Sequence, residues 1–382
     1  MRSISLTGGT VLLPRDGLLP VDLTVRDGCI DGIGGSVSGP ALDVTGLLVL
    51  PGIVDLHGDA FERQIQPRPG VDFPTDLALR DTEAQLLANG ITTAFHGVTL
   101  SWEPGLRGLT AWRAMLDALA AERWVCDMRV HLRWEAYNLD ALDTAVADIE
   151  AGRVHLVAFN DHTPSIIRKL KDPVEGAKYA GRAGMKMAAF QALADSVAAR
   201  ADAVPAGLER IAAAARAAGL PMASHDDDSI DIRNSFRDRG ARICEFPMAE
   251  SVAESAVANG DFVAMGCPNV VRGGSHLGWA SAARLAESGL CTILTSDYYY
   301  PAMSRAAFIL AERGVLDLAK AWALISENPA RAGNLRDRGV IEPGKRADLV
   351  VADPATGRPL ATLVDGRIAH LSAAASGRLS WR

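Results

Sequence analysis

Residues 50–59 read LPGIVDLHGD. A leucine-proline-glycine turn delivers the chain into a short apolar run, and the run ends on His57, Gly58 and Asp59. A run of this kind is a buried strand, and its last residues place an imidazole and a carboxylate two positions apart, on one side of an extended chain. Polar groups that close an apolar strand are what an active site at the C-terminal face of a β/α barrel is built from. The next residues, AFERQIQPRP, bring Arg63 and Arg68 with two prolines, the makings of a stiff loop beside that strand end.

Outward from this strand, the texture between residue 52 and about residue 334 is one of apolar runs alternating with long helical stretches, most plainly the alanine-rich segments 188–200 and 206–218. GIVDLH, ITTAFHGV, MRVHLRWE, HLVAFN, PMASH, FVAMG and CTILTSD read as strands, nearly the eight that a (β/α)8 barrel requires. On either side the texture is different. ISLTGGTVLL, VDLTVRDGCIDGIG and LLVLPG before the barrel, and GVIEPGKRADLVVADPATGRPLATLVDGRIAHL after it, are short alternating runs broken by glycine and aspartate turns. The expected fold class is therefore α/β: a distorted (β/α)8 TIM barrel over residues 51–333, with a small β-sandwich built from both termini, residues 1–50 together with 334–382.

Composition sets the outer limits. A chain of 382 residues with 48% hydrophobic content can bury a large core, and its net charge of -7 argues against a general nucleic-acid or membrane-surface role. The N-terminus lacks a signal peptide's apolar segment, and no apolar run is long enough to span a bilayer, so a cytoplasmic location is expected. Five scattered cysteines, without any Cys-x-x-Cys spacing, indicate neither a disulfide framework nor a thiolate zinc site.

The chemistry-bearing candidates are the polar residues that terminate strands. They are His57 with Asp59, Glu135 closing MRVHLRWE, His162 following HLVAFND, His225 closing PMASH and Asp297 closing CTILTSD. Imidazole and carboxylate are the ligands of zinc, manganese and similar divalent ions. A solitary histidine is more often a hydrogen-bonded structural residue, and His96, His131, His155 and His370 read that way. MRVHLRWE is unusual: Arg129, His131, Arg133 and Glu135 share one face. Either a polar centre surrounds this strand or Glu135 is salt-bridged to Arg133 or another base. The segment GCPNVVRGGSHLG carries Arg272, Gly273, Gly274, Ser275 and His276, donors of the type a phosphate needs, although it is no P-loop and can equally be an ordinary glycine-rich loop.

PGIVDLHGD, SHDDD, TSDYYYPAM and ENPARAGNLRDRGVIEPGKRADLVVAD resemble the metal-dependent amidohydrolase superfamily over nearly the whole chain. More narrowly, DLHGDAFERQIQPRPGVDFP, HLRWE, FNDHTP, ASHDDD, EFPMAE and PNVVRGGSHLGWASA are similar to the diphosphatases of alpha-D-ribose 1-methylphosphonate 5-triphosphate, which act in phosphonate catabolism. This resemblance implies hydrolysis of a phosphorylated ribose to its 5-phosphate and pyrophosphate, with two divalent ions, zinc or manganese. It implies metal ligands at His57, Asp59, Glu135, His162, His225 and Asp297, with Asp59 in place of the usual second histidine. Glu135 is then the carboxylate ending the fourth barrel strand, His162 the ligand of the fifth, His225 that of the sixth and Asp297 the acid of the eighth. Asp297 would accept a proton, His276 would donate one or bind phosphate, and Arg63, Arg68, Arg272, Gly273, Gly274 and Ser275 would hold the polyphosphate. A homodimer is the expected assembly. Amide or imine hydrolysis, and a non-catalytic assembly protein on the same fold, stand as the alternatives.

Overall fold

In a computed structural model of the chain, residues 3–35, 39–68, 70–274 and 281–380 are described. Eight strands lie side by side in sequence order, Ile53–Gly58, Ile91–Leu100, Asp127–Glu135, Leu156–Asn160, Met222–His225, Ile243–Glu245, Phe262–Gly266 and Ile293–Thr295. All of their pairings are parallel. A parallel bridge between Gly58 and Asp297 joins the eighth strand to the first and closes the barrel. Helices between the strands pack their apolar faces on its outside, so Trp112, Leu116, Leu132 and Trp134 fall in one buried cluster.

The strand missing from the sequence reading is Ile243–Glu245. Three residues are too few for any alternation to register. It is the sixth of the eight and completes the barrel; the strands that precede it place Glu135 at the end of the third, His162 after the fourth and His225 at the end of the fifth. The fourth, fifth and sixth positions implied by resemblance are corrected accordingly.

Inside the barrel the period of two stacks layers. Phe95, Ala223, Ile243 and Ala264 belong to one apolar cluster. Two residues further along the same strands come Gly97, His225, Glu245 and Gly266, so the interior changes from apolar to polar toward the C-terminal rim.

The termini form two further sheets. One takes Leu379–Ser380, Ala41–Asp43, Ser3–Thr7, Leu23–Arg26 and Cys29–Ile33; the other takes Arg367–Leu371, Pro359–Val364, Leu349–Ala352, Leu48–Pro51, Thr10–Leu13 and Gly17–Pro20. Leu6, Leu23 and Ile30 of the first pack with Val49, Leu349 and Leu363 of the second in a single core, a β-sandwich to which both ends of the chain contribute. Buried Arg338 ties this end to the barrel floor, reaching Asp127 Oδ2 at 2.7 Å and Thr93 Oγ1 at 2.8 Å. Among the described residues no helix is long and apolar enough to cross a membrane.

Candidate active site

The first barrel strand does not run straight to its end. Its register against the second strand shifts between Asp55 and Gly58, an irregularity of the kind that re-aims side chains. Asp55, fully buried, accepts hydrogen bonds from the backbone amides of Ser296 at 2.9 Å and of His57 at 3.3 Å. The rim is pinned again by Asp59 N donating to Asp297 O and Asp297 N to His57 O, both at 2.9 Å. His57 thus enters the barrel from a strand end fixed to its closing neighbour.

Two groups of side chains at this rim could each hold a metal ion: His57 with His131 and Glu245, and His162 with His225 and Asp226. In the first, His57 Nδ1 lies 3.1 Å from Glu245 Oε2 and His131 Nε2 lies 3.8 Å from the same oxygen, with all three side chains buried. His131 Nδ1 is 3.0 Å from Leu56 O, a contact that fixes the ring. Burial holds the His131 pKa down to about 3 and drives that of His57 well below the ordinary value, helped by the charge of Arg133. Both imidazoles are therefore neutral. His131 Nε2 and Glu245 Oε1 have no hydrogen-bond partner among the described residues. Neutral rings, a carboxylate and orphaned buried polar atoms are what a divalent ion would satisfy, so this group fits one.

The second group is already paired within itself. His162 Nδ1 lies 3.2 Å from Glu135 Oε2 and its Nε2 lies 3.5 Å from Asp226 Oδ2. Burial works against charge on His162, but hydrogen bonds to Asp226 and Glu135 raise its pKa to about 9. His225 Nδ1 is 3.2 Å from Asp226 Oδ1 without the angle of a hydrogen bond, whereas His225 Nε2 meets Arg133 Nη2 at 3.1 Å. Glu135 also accepts from the backbone amides of His162 at 3.1 Å and Thr163 at 3.2 Å, so its carboxylate caps the helix Thr163–Lys169.

Three side chains expected as metal ligands belong to neither group: Glu135, which caps that helix, Asp59 and Asp297. Asp59 lies 3.5 Å from Arg133 Nη1. Asp297 faces the rim with its pKa raised to about 7, by burial first and then by the negative charge of Asp59. Three residues just past strand ends, Asp226, Phe246 and Asp297, hold positive φ angles of 58°, 53° and 55°. For a phenylalanine that conformation costs about 1–3 kcal/mol, and here it sets the Phe246 ring edge-on to His57 at 5.0 Å.

Of the expected phosphate-binding residues, Arg63 and Arg272 converge. Arg63 lies over the Tyr298 ring at 5.7 Å, and Arg272 Nη1 donates to the Tyr298 hydroxyl at 3.3 Å. Arg68 is exposed in a tight bridge with Val71. Gly273 and Gly274 serve the backbone instead, since their amides donate to Val270 O and Asn269 O and end the helix Cys267–Arg272, with Gly273 at φ 83°. Those two N–H groups are therefore committed, and the turn they form projects Arg272. Ser275 and His276 lie outside the described residues. Sequence reasoning passed over Glu245, Asp226 and Tyr298, and took His131 as structural. The motif EFPMAE held Glu245 in view, but its strand was too short to see.

The model of the amidohydrolase family matches residues 75–370. The chain belongs to the amidohydrolase family. It is 36% identical over 320 residues to the alpha-D-ribose 1-methylphosphonate 5-triphosphate diphosphatase of Escherichia coli (strain K12), covering 82% of this chain and 85% of that protein. Among solved structures, this amidohydrolase superposes on the N-acetylglucosamine-6-phosphate deacetylase of Pasteurella multocida with a TM-score of 0.64 at 11% identity, over 96% of this chain and 99% of that one. A triazine hydrolase variant matches with a TM-score of 0.66 at 15% identity, over 97% and 95%. Likeness at such low identity speaks for the fold alone.

Proposed function

We propose that this amidohydrolase is a metal-dependent phosphoric anhydride hydrolase that cleaves alpha-D-ribose 1-methylphosphonate 5-triphosphate to the 5-phosphate and pyrophosphate. The observation that carries this reading is the 36% identity over 82% of the chain to the diphosphatase. The cationic rim supports it, because Arg63 and Arg272 are exposed beside the strand ends and no described carboxylate pairs with either. Guanidinium groups in that position suit a polyphosphate better than an amide.

His57, His131 and Glu245 would hold a divalent ion, zinc or manganese, and His162, His225 and Asp226 form the second group at the same rim. Such an ion supplies Lewis acidity, which acidifies water and polarises a phosphoryl oxygen. Asp297 would take the proton of the attacking water, since a carboxyl with a pKa of about 7 can accept and release one near neutrality. A water oxygen bonds to phosphorus, the anhydride bond between the first and second phosphates breaks, and pyrophosphate leaves with the bond electrons. Asp59, 3.5 Å from Arg133, keeps that guanidinium in place beside the reacting centre. The arginines at Tyr298 hold the outer phosphates and stabilise the charge that builds on the leaving group.

The test is pyrophosphate release from the ribose triphosphate by wild type and by Asp297→Asn. The variant is expected to lose about 10²–10⁴ in kcat with its metal content unchanged. Undiminished turnover removes Asp297 as proton acceptor. Absence of pyrophosphate from the wild type, with ammonia or amine released from an amide instead, removes the diphosphatase reading.

A further inference from the structure

We infer that the Arg133 guanidinium is a resident cation of this active site, standing where a second metal ion would otherwise sit, so that the chain holds one tightly bound ion. The inference rests on the phosphohydrolase reading above and deepens it.

Arg133 is 6% exposed and lies inside the barrel, where a charge persists only with partners. Its Nη2 meets His225 Nε2 at 3.1 Å, and its Nη1 lies 3.5 Å from Asp59 Oδ2. The imidazole lone pair at that nitrogen can face a guanidinium or an ion, and it faces the guanidinium. The neighbouring strand makes room for this arrangement. A Cβ on Gly97 would lie 3.2 Å from Arg133 Cδ and 3.6 Å from His57 Nε2, so a bare glycine there spares the arginine stem a tight contact. Arginine cannot shed its proton in a protein, and its charge opposes a divalent ion bound against the same histidine and aspartate.

The remaining side chains around this position are engaged except at His225 Nδ1, which lies 3.2 Å from Asp226 Oδ1 without a hydrogen bond. Both ring nitrogens of His162 face carboxylates, Glu135 at 3.2 Å and Asp226 at 3.5 Å. By contrast, the group of His57, His131 and Glu245 keeps His131 Nε2 and Glu245 Oε1 unpartnered among the described residues, which makes it the place for the single ion. A further orphan gives Arg133 a role toward substrate. Its buried Nε has no acceptor among the described residues. A donor of that kind is satisfied by an anion, and the phosphoryl oxygen of the bound substrate supplies one.

The experiment is metal analysis of the purified chain, grown with zinc and manganese and passed over a chelating resin, with pyrophosphate release measured on the same samples. Wild type is expected to retain about one ion per chain, Arg133→Lys to stay at about one, and Arg133→Met to rise to about two while its KM for the triphosphate increases at least about tenfold. Two ions retained by the wild type, or no added ion in a folded Arg133→Met variant, overturns the inference. Should Arg133→Met fail to fold, wild-type stoichiometry with an anomalous difference map of the crystallised protein decides it. A wild type with two ions that still releases pyrophosphate refutes the role of Arg133 alone. One ion without pyrophosphate release supports the resident cation and refutes the substrate reading.

Discussion

Tyr298 offers a quantitative test of how the rim binds polyphosphate. Its ring carries Arg63 at 5.7 Å and its hydroxyl accepts from Arg272 at 3.3 Å, so one side chain aligns two like charges that would otherwise drift apart in solvent. Tyr298→Phe removes only the hydroxyl. A hydrogen bond of this kind is worth about 0.5–1.5 kcal/mol, and the long distance with an exposed arginine puts it near the lower end, so KM should rise about two- to fourfold. Tyr298→Leu also removes the aromatic face under Arg63, about 0.5–1 kcal/mol more at an exposed site, for a combined rise of about five- to twentyfold. In both variants kcat should change less than about twofold, because the ring acts on binding and not on the reacting atoms. The assay is the initial rate of pyrophosphate release against substrate concentration, with inhibition by added pyrophosphate as a second measure of the same contacts. Arg272→Met made in wild type and in Tyr298→Phe completes a double-mutant cycle. A KM for Tyr298→Leu indistinguishable from wild type, or an Arg272→Met effect equal in both backgrounds, refutes the alignment.

Two further expectations concern stability. His96 is fully buried with neither ring nitrogen partnered among the described residues, and burial alone pushes its pKa down to about 4. Between that value and an unfolded pKa of about 6.5 only the unfolded chain takes up the proton, so stability falls as pH falls through this window. Urea unfolding at pH 7.5 and 5.0 should show His96→Phe losing about 2 kcal/mol less than wild type over that interval; equal losses refute it. Arg338→Met should destabilise by about 1–3 kcal/mol, because the arginine linking barrel and sandwich is lost while Asp127 keeps Arg129 and Asp348 keeps Arg346. A stability within about 0.5 kcal/mol of wild type would show that this buried pairing contributes nothing net.

The barrel was legible because seven of its strands are four residues or longer, or are framed by turns and a polar end, and because helices separate them. His57, His162 and His225 were legible for the same reason, since each stands where an apolar run stops. Glu245 was not, because Ile243–Glu245 borrows its strand geometry from two neighbours and has no pattern of its own. His131 read as structural on similar grounds. It lies mid-strand, and only the closure of the barrel brings it within 5.1 Å, ring to ring, of His57.

What the sequence determined by itself is the type and order of the elements and the residues at strand ends, because these follow from local periodicity, turn chemistry and motif. Which of those residues share a site was decided by the tertiary structure. The opening pair shows the division: His57 turns inward to His131 and Glu245, whereas Asp59 goes to Arg133, whose stem runs close past the bare Gly97 of another strand. Contacts across a closed barrel depend on register and on the space that neighbouring strands leave, and neither quantity is written in the local pattern of residues 50–59.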